Sequence, residues 1–182
     1  ALLLLTFADT AATFAGEWVR NPETYRPWRD EKTIQGNITM ALTSALLTGI
    51  GTIVFRNLAG LEPMQLQELV PVSLLVAALA TIAEAVSKEG SDNLSVPILA
   101  AVGYDLFFYS LQHNTMMSLL LWILLSFALA QGAFSLRALS PDGAMGAFIL
   151  GMFIFGIGGW KFVIPLVLFF VVSSLLSKIA KK

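Results

Sequence analysis

Seven apolar runs, at roughly 1–16, 38–56, 68–86, 94–112, 115–136, 143–158 and 161–178, constrain this 182-residue chain more than any other feature. Most approach the ~20 residues that a helix needs to cross about 30 Å of hydrocarbon. Inside a bilayer no water meets the backbone, so such runs must close their own hydrogen bonds as helices. Charged residues make up 13% of the chain and apolar ones 57%, with a mean hydropathy of +0.78, far from a soluble domain. The pattern predicts an all-α fold, a polytopic transmembrane bundle of about seven helices. The fourth run, which carries Asp105, and the sixth, short and rich in glycine, read equally well as re-entrant segments. No basic stretch precedes ALLLLTFA, so the first run does not read as a signal peptide. Because the chain opens inside that run, it is expected to be part of a longer one, with further helices before Ala1. The absence of cysteine removes disulfides, thiolate nucleophiles and cysteine metal sites.

If all seven runs cross, the connections at 17–37, 87–93, 137–142 and the C-terminal end share one side of the membrane. That side holds Arg20, Arg26, Arg29, Lys32, Lys88, Arg137, Lys178, Lys181 and Lys182, against Arg56 and Lys161 opposite. The bias places the cation-rich side in the cytoplasm. Shifting the helix count by one would scramble the separation, so the bias also supports the count.

Two connections hold more chemistry than a linker needs. The first, GEWVRNPETYRPWRDEKTIQGN, mixes Arg20, Arg26, Arg29 and Lys32 with Glu17, Glu23, Asp30 and Glu31, and includes Trp18, Tyr25 and Trp28. One reading is an interfacial loop with aromatics at headgroup level and cations on anionic lipid. Another rests on its ending, EKTIQGN, where a lysine, a hydroxyl and a glycine adjoin a helix start, a setting that favours phosphate. The second connection, AEAVSKEGSDNLSVP, holds Asp92 and Asn93, which ordinary capping explains. Capping leaves Glu84 unexplained, because an acid within an apolar segment is costly unless paired, wet or metal-bound. With Asp9 near the end of the first run, the topology sets Asp9, Lys32, Glu84 and Asp92 at one membrane face. Two roles remain open for them: a phosphate and Mg²⁺ site, or a salt-bridged cluster that locks helices together.

Three blocks, ADTAA at 8–12, KTIQGN at 32–37 and EAVSKEGSDNLSVP at 84–97, resemble those of the polyprenol kinase family, which includes dolichol kinase and phytol kinases. The order and spacing agree over about residues 1–110. The resemblance implies a multi-pass membrane kinase that phosphorylates a long-chain isoprenoid alcohol such as phytol, a step of tocopherol or lipid metabolism. CTP would be the donor, and Mg²⁺ or Mn²⁺ the cofactor. Carried over by position, Asp9, Lys32, Glu84 and Asp92 would be catalytic, with Asp9, Glu84 and Asp92 as metal ligands. Thr10, Thr33, Gly36 and Asn93 would bind nucleotide, and Pro97 completes the third block. Ala8 stands where glycine is usual, and Gln35 where glutamate is usual, which removes one charge. A CTP-dependent cytidylyltransferase is an alternative, although the longer signature of the phosphatidate cytidylyltransferases is missing. A non-catalytic membrane subunit or transporter segment with structurally paired charges is another.

The tail, LSPDGAMGAFILGMFIFGIGGWKFVIPLVLFFVVSSLLSK, resembles the start of the phytyl-phosphate kinase membrane family through Ser140, Gly143, the Gly156-Gly158-Gly159-Trp160 run and Ser173-Ser174. It implies a kinase-like domain at 1–136 followed by the start of a second membrane unit at 137–182. Read physically, Gly143, Ala147 and Gly151 recur every four residues, a small-residue face for close helix packing.

Asp105, near mid-membrane depth, is the remaining acid of interest: it would order the alcohol or a water path, or hold two helices together through a hydrogen bond. His113 reads as a turn residue rather than a pigment ligand. The expected partners are the alcohol, the nucleotide and the bilayer, with a membrane-protein partner or a second copy possible and no nucleic acid.

Overall fold

The computed structural model describes residues 1–25, 31–87, 90–158, 161–165, 168 and 172. Trp28, Arg26, Arg29, Asp30, Lys88, Gly159, Trp160, Ser173, Ser174 and the terminal lysines, all singled out above, lie outside them. The described residues are mainly helical, as the apolar runs predict. A π-helical stretch, Leu4–Asp9, continues into α1 (Thr10–Trp18). There follow α2 (Ile34–Leu58), α3 (Leu66–Val86), α4 (Asp92–Gln112), α5 (Met116–Ser135) and α6 (Pro141–Phe153), with a second π-helical turn, Ile154–Gly158, and a helical segment at 161–165. Helices α2 to α5 are long and apolar enough to cross a membrane; residues 143–156 form a shorter apolar helix.

Ends and starts follow local chemistry. Helix α2 begins at Ile34, four residues earlier than its apolar run predicts, because the Thr33 hydroxyl accepts the Gly36 N–H at 3.0 Å and caps it. It stops in a Schellman motif: Gly60 takes φ +66°, its N–H reaches the Asn57 carbonyl, and the Leu61 N–H reaches that of Arg56. Ser140 caps α6 by accepting from the Gly143 N–H at 3.1 Å. The connection between α1 and α2 carries something the apolar pattern did not foresee, a short antiparallel pair of β1 (Thr24–Tyr25) and β2 (Lys32–Thr33).

The chain packs as two compact units, Ala1–Tyr109 and Ser110–Lys182. In both, the core is apolar, and unlike that of a soluble protein the outside is apolar too. Leu42, Leu46, Ile50 and Phe55 on α2, and Leu120, Leu121 and Leu124 on α5, are exposed. Ser44, Thr52, Ser73 and Ser126 are buried. Lipid tails are as apolar as leucine, so helices associate through close contact and buried polar bonds, which small residues permit. In the first unit Gly103 lets α4 approach Leu79 of α3 so closely that a methyl there would overlap that side chain. The Thr52 hydroxyl donates to Tyr104 Oη at 3.2 Å, tying α2 to α4. In the second unit Trp122 stacks on Phe155 at 5.3 Å and Phe127 meets Phe148 edge-on. Of the predicted small-residue face, Gly151 makes the close approach, against Ser126 of α5, whereas Gly143 sits against its own cap, Ser140.

Candidate functional site

Four segments deliver one acid or cation each to the same end of the first unit. Asp9 is the last residue of the π-helical stretch, an irregularity that often marks working sites because the extra residue re-aims its neighbours. Glu84 lies two residues before the end of α3, and Asp92 opens α4. Lys32 is held by the small hairpin, where Tyr25 pairs with Lys32 and Thr24 with Thr33, and the Ile34 N–H donates to the Glu23 carbonyl at 3.0 Å. The turn between α3 and α4 is drawn together by buried serines: Ser87 Oγ donates to the Ala83 carbonyl and meets Ser95 Oγ at 3.0 Å.

One carboxylate oxygen each from Asp9, Glu84 and Asp92 lie within 4.8 Å of one another. The Lys32 ammonium donates to Glu84 Oε1 at 2.5 Å. Glu84 is buried, and its other oxygen, Oε2, is enclosed with no hydrogen-bond donor among the described residues. Asp92 Oδ1 accepts from the Asn93 N–H at 3.0 Å. With all four groups ionised the cluster carries two negative charges in excess, and a buried oxygen without a donor is costly. Both features call for a cation. Mg²⁺–oxygen distances of about 2.1 Å set adjacent octahedral ligands roughly 3.0 Å apart and opposed ones roughly 4.2 Å apart, so three oxygens within 4.8 Å of one another are near enough to draw in on one ion. An all-oxygen donor set suits Mg²⁺ or Mn²⁺. The residues present therefore fit such an ion.

The other sequence-derived candidates divide. Thr33 is occupied as the cap of α2, and the Gly36 N–H is the group it binds. Gly36 is buried where a Cβ would lie 2.7 Å from Thr33 Oγ1 and 3.1 Å from the Ala12 carbonyl, so its hydrogen serves close packing of α1 on α2. The Thr10 hydroxyl donates to the Thr6 carbonyl of its own helix. Asn93 is exposed beside Asp92. Pro97 lacks the N–H that would meet the Asn93 carbonyl one turn back, which loosens the helix start next to the cluster. Ala8 is fully enclosed, so its methyl is accommodated where a glycine is usual. Gln35 Oε1 is a second buried acceptor without a donor among the described residues.

Asp105 is not brought to the cluster. It lies thirteen residues along α4 from Asp92, ~20 Å at 1.5 Å per residue. There it lines a separate cleft of about 350 Å³ with Leu4, Thr52, Phe55 and Tyr104. His113 occupies the turn after α4.

Residues 124–182 match the family model described as integral membrane protein DUF92. No curated protein and no solved structure matches the chain. The DUF92 match establishes an integral membrane protein, in agreement with the four long apolar helices. It lies wholly in the second unit and includes none of the four clustered residues. Their chemistry must be argued from geometry.

Thr13, Glu17 and Asn37 share a pocket with Lys32 and Glu84. Sequence reasoning took Glu17 only as a loop charge and Asn37 only as the last letter of KTIQGN, and missed Thr13, whose signal is helical spacing: it lies four residues before Glu17, on the same face of α1.

Proposed function

We propose that the first unit is a membrane phosphotransferase, moving a phosphoryl group from a nucleoside triphosphate, CTP foremost, to the hydroxyl of a long-chain isoprenoid alcohol such as phytol. One observation carries the reading: Asp9, Glu84 and Asp92, from three helices, place oxygens within 4.8 Å of one another beside a lysine at 2.5 Å from Glu84. The alcohol and the nucleotide are supplied by the likeness of the three blocks to polyprenol kinases. The cation bias of the loops supports a site on the cytoplasmic side, where nucleotide is available.

Asp9, Glu84 and Asp92 would hold Mg²⁺ or Mn²⁺, which neutralises charge on the phosphates when bound. Lys32 would leave Glu84 for a phosphate oxygen, a point charge suited to a loose, charge-spread transition state. Transfer of this kind rests on positioning and charge more than on a strong base. None of the four residues need take the alcohol's proton early. The alcohol would enter from the lipid with its hydroxyl at the level of Asp9. The DUF92 segment contains the stretch that resembles the start of the phytyl-phosphate kinase family, so a second unit acting on the phosphorylated product would begin there.

The Lys32–Glu84 contact also favours a second reading, a pair that only fixes β2 to α3. Phosphorylation of phytol by the purified full chain, with Mg²⁺ and each nucleoside triphosphate, separates the two. Turnover that disappears in Asp9→Asn and Asp92→Asn while folding is retained is the expected result. Folded wild-type protein with no turnover on any alcohol or donor would leave the packing role.

A further inference from the structure

The phosphotransferase reading leaves open where the rest of the donor sits. Beside Lys32 and Glu84 lies a pocket of about 280 Å³ whose other wall carries Thr13, Glu17 and Asn37. Anything anchored by phosphate on Lys32 extends into it. Its floor is stiff, because Gly16 and Gly36 both press on Thr33, each with a would-be Cβ 2.7 Å from Thr33 Oγ1.

The wall offers acceptors. Glu17 brings a carboxylate, and because the Asn37 amide nitrogen donates to the Tyr25 hydroxyl, the Asn37 oxygen is turned to accept. Glu31 adds a second carboxylate to the lining. An ionised phosphate has no hydrogen to give and is repelled by acids. An isoprenoid chain offers these groups no hydrogen to accept. A sugar bearing two hydroxyls, or a base with an amino group, supplies hydrogens to Glu17, which is exposed, and to Asn37, which is half-buried. We infer that this pocket holds the nucleoside of the donor, with Glu17 and Asn37 accepting from its hydroxyl or amino hydrogens, and that it selects a nucleotide over inorganic polyphosphate.

The test compares Mg²⁺–CTP with Mg²⁺–tripolyphosphate, by calorimetry on the full chain in nanodiscs. A hydrogen bond to a charged group contributes enough that wild-type protein should bind CTP at least about tenfold more tightly. Glu17→Ala, and Thr13→Trp, which adds bulk at an exposed lining position, should each erase that advantage by weakening CTP alone. Equal wild-type affinity for the two ligands, or variants that weaken both alike, would overturn the nucleoside pocket while leaving a phosphotransferase with another donor. Binding of neither by folded protein would overturn both readings.

Discussion

The two units meet the bilayer in the same way and differ in what they bury. In the second, α5 and α6 close on Ser126, Gly151 and two aromatic pairs, with no charged side chain buried among the described residues. In the first, the same tactic of small residues and serines holds α2, α3 and α4 together, yet one end encloses Glu84 against Lys32 with Asp9 and Asp92 alongside. Close packing suffices to associate helices in lipid. The charges of the first unit are therefore more than association needs, and that surplus is what points to chemistry.

Removing one member of the pair breaks this contrast most severely. Lys32→Met leaves Glu84 uncompensated and should destabilise the first unit by about 3–5 kcal/mol, read as thermal unfolding in detergent. Lys32→Met with Glu84→Leu should recover most of that loss while turnover stays absent. A double variant as unstable as the single one would mean that the pair is not the source.

Metal binding sharpens the contrast next. Saturating Mg²⁺, at 100 times its dissociation constant, should stabilise wild-type protein by about 2.7 kcal/mol. Asp9→Asn and Asp92→Asn should lose most of this response. An undiminished response would place the ion elsewhere.

A packing change in the second unit should act on stability alone. Gly151→Ala drives a methyl to 2.9 Å from Ser126 Oγ, an overpacking of about 1–3 kcal/mol. The Mg²⁺ response of the first unit should be unchanged, and any loss of it would contradict the division of roles.

The smallest effect concerns Thr33, whose hydroxyl caps α2. Thr33→Ala should cost about 1 kcal/mol, and Thr33→Ser should restore it, because serine keeps the accepting oxygen. If Thr33→Ser stays as impaired in nucleotide binding as Thr33→Ala, the residue does more than cap.

Much of this was legible in the chain. Helix existence followed from apolar length, since a lipid-length run has one way to satisfy its backbone. The start of α2 did not, because a four-residue hydrogen bond from Thr33 overrides hydropathy there. The β1–β2 pair was equally silent, being two residues per strand and held by the ends of its connection. Asp9, Lys32, Glu84 and Asp92 stood out as charges at helix ends. Thr10, Thr33 and Gly36 stood out as motif letters, and the structure gives their groups to helix bonds, a cap and a helix contact.

The sequence by itself determined a helical membrane protein and the level at which its unusual charges sit, because the bilayer imposes a length on each helix and a depth on each residue. Depth is one coordinate. Only the tertiary structure decided that Lys32 meets Glu84 rather than Asp9, that Asp92 joins the pair and Asp105 does not, and that Glu17 and Asn37 share their pocket. Those choices depend on helix rotation and pairing, which Gly36 against Ala12 and Gly103 against Leu79 set by contact between helices, and no spacing along the chain encodes them.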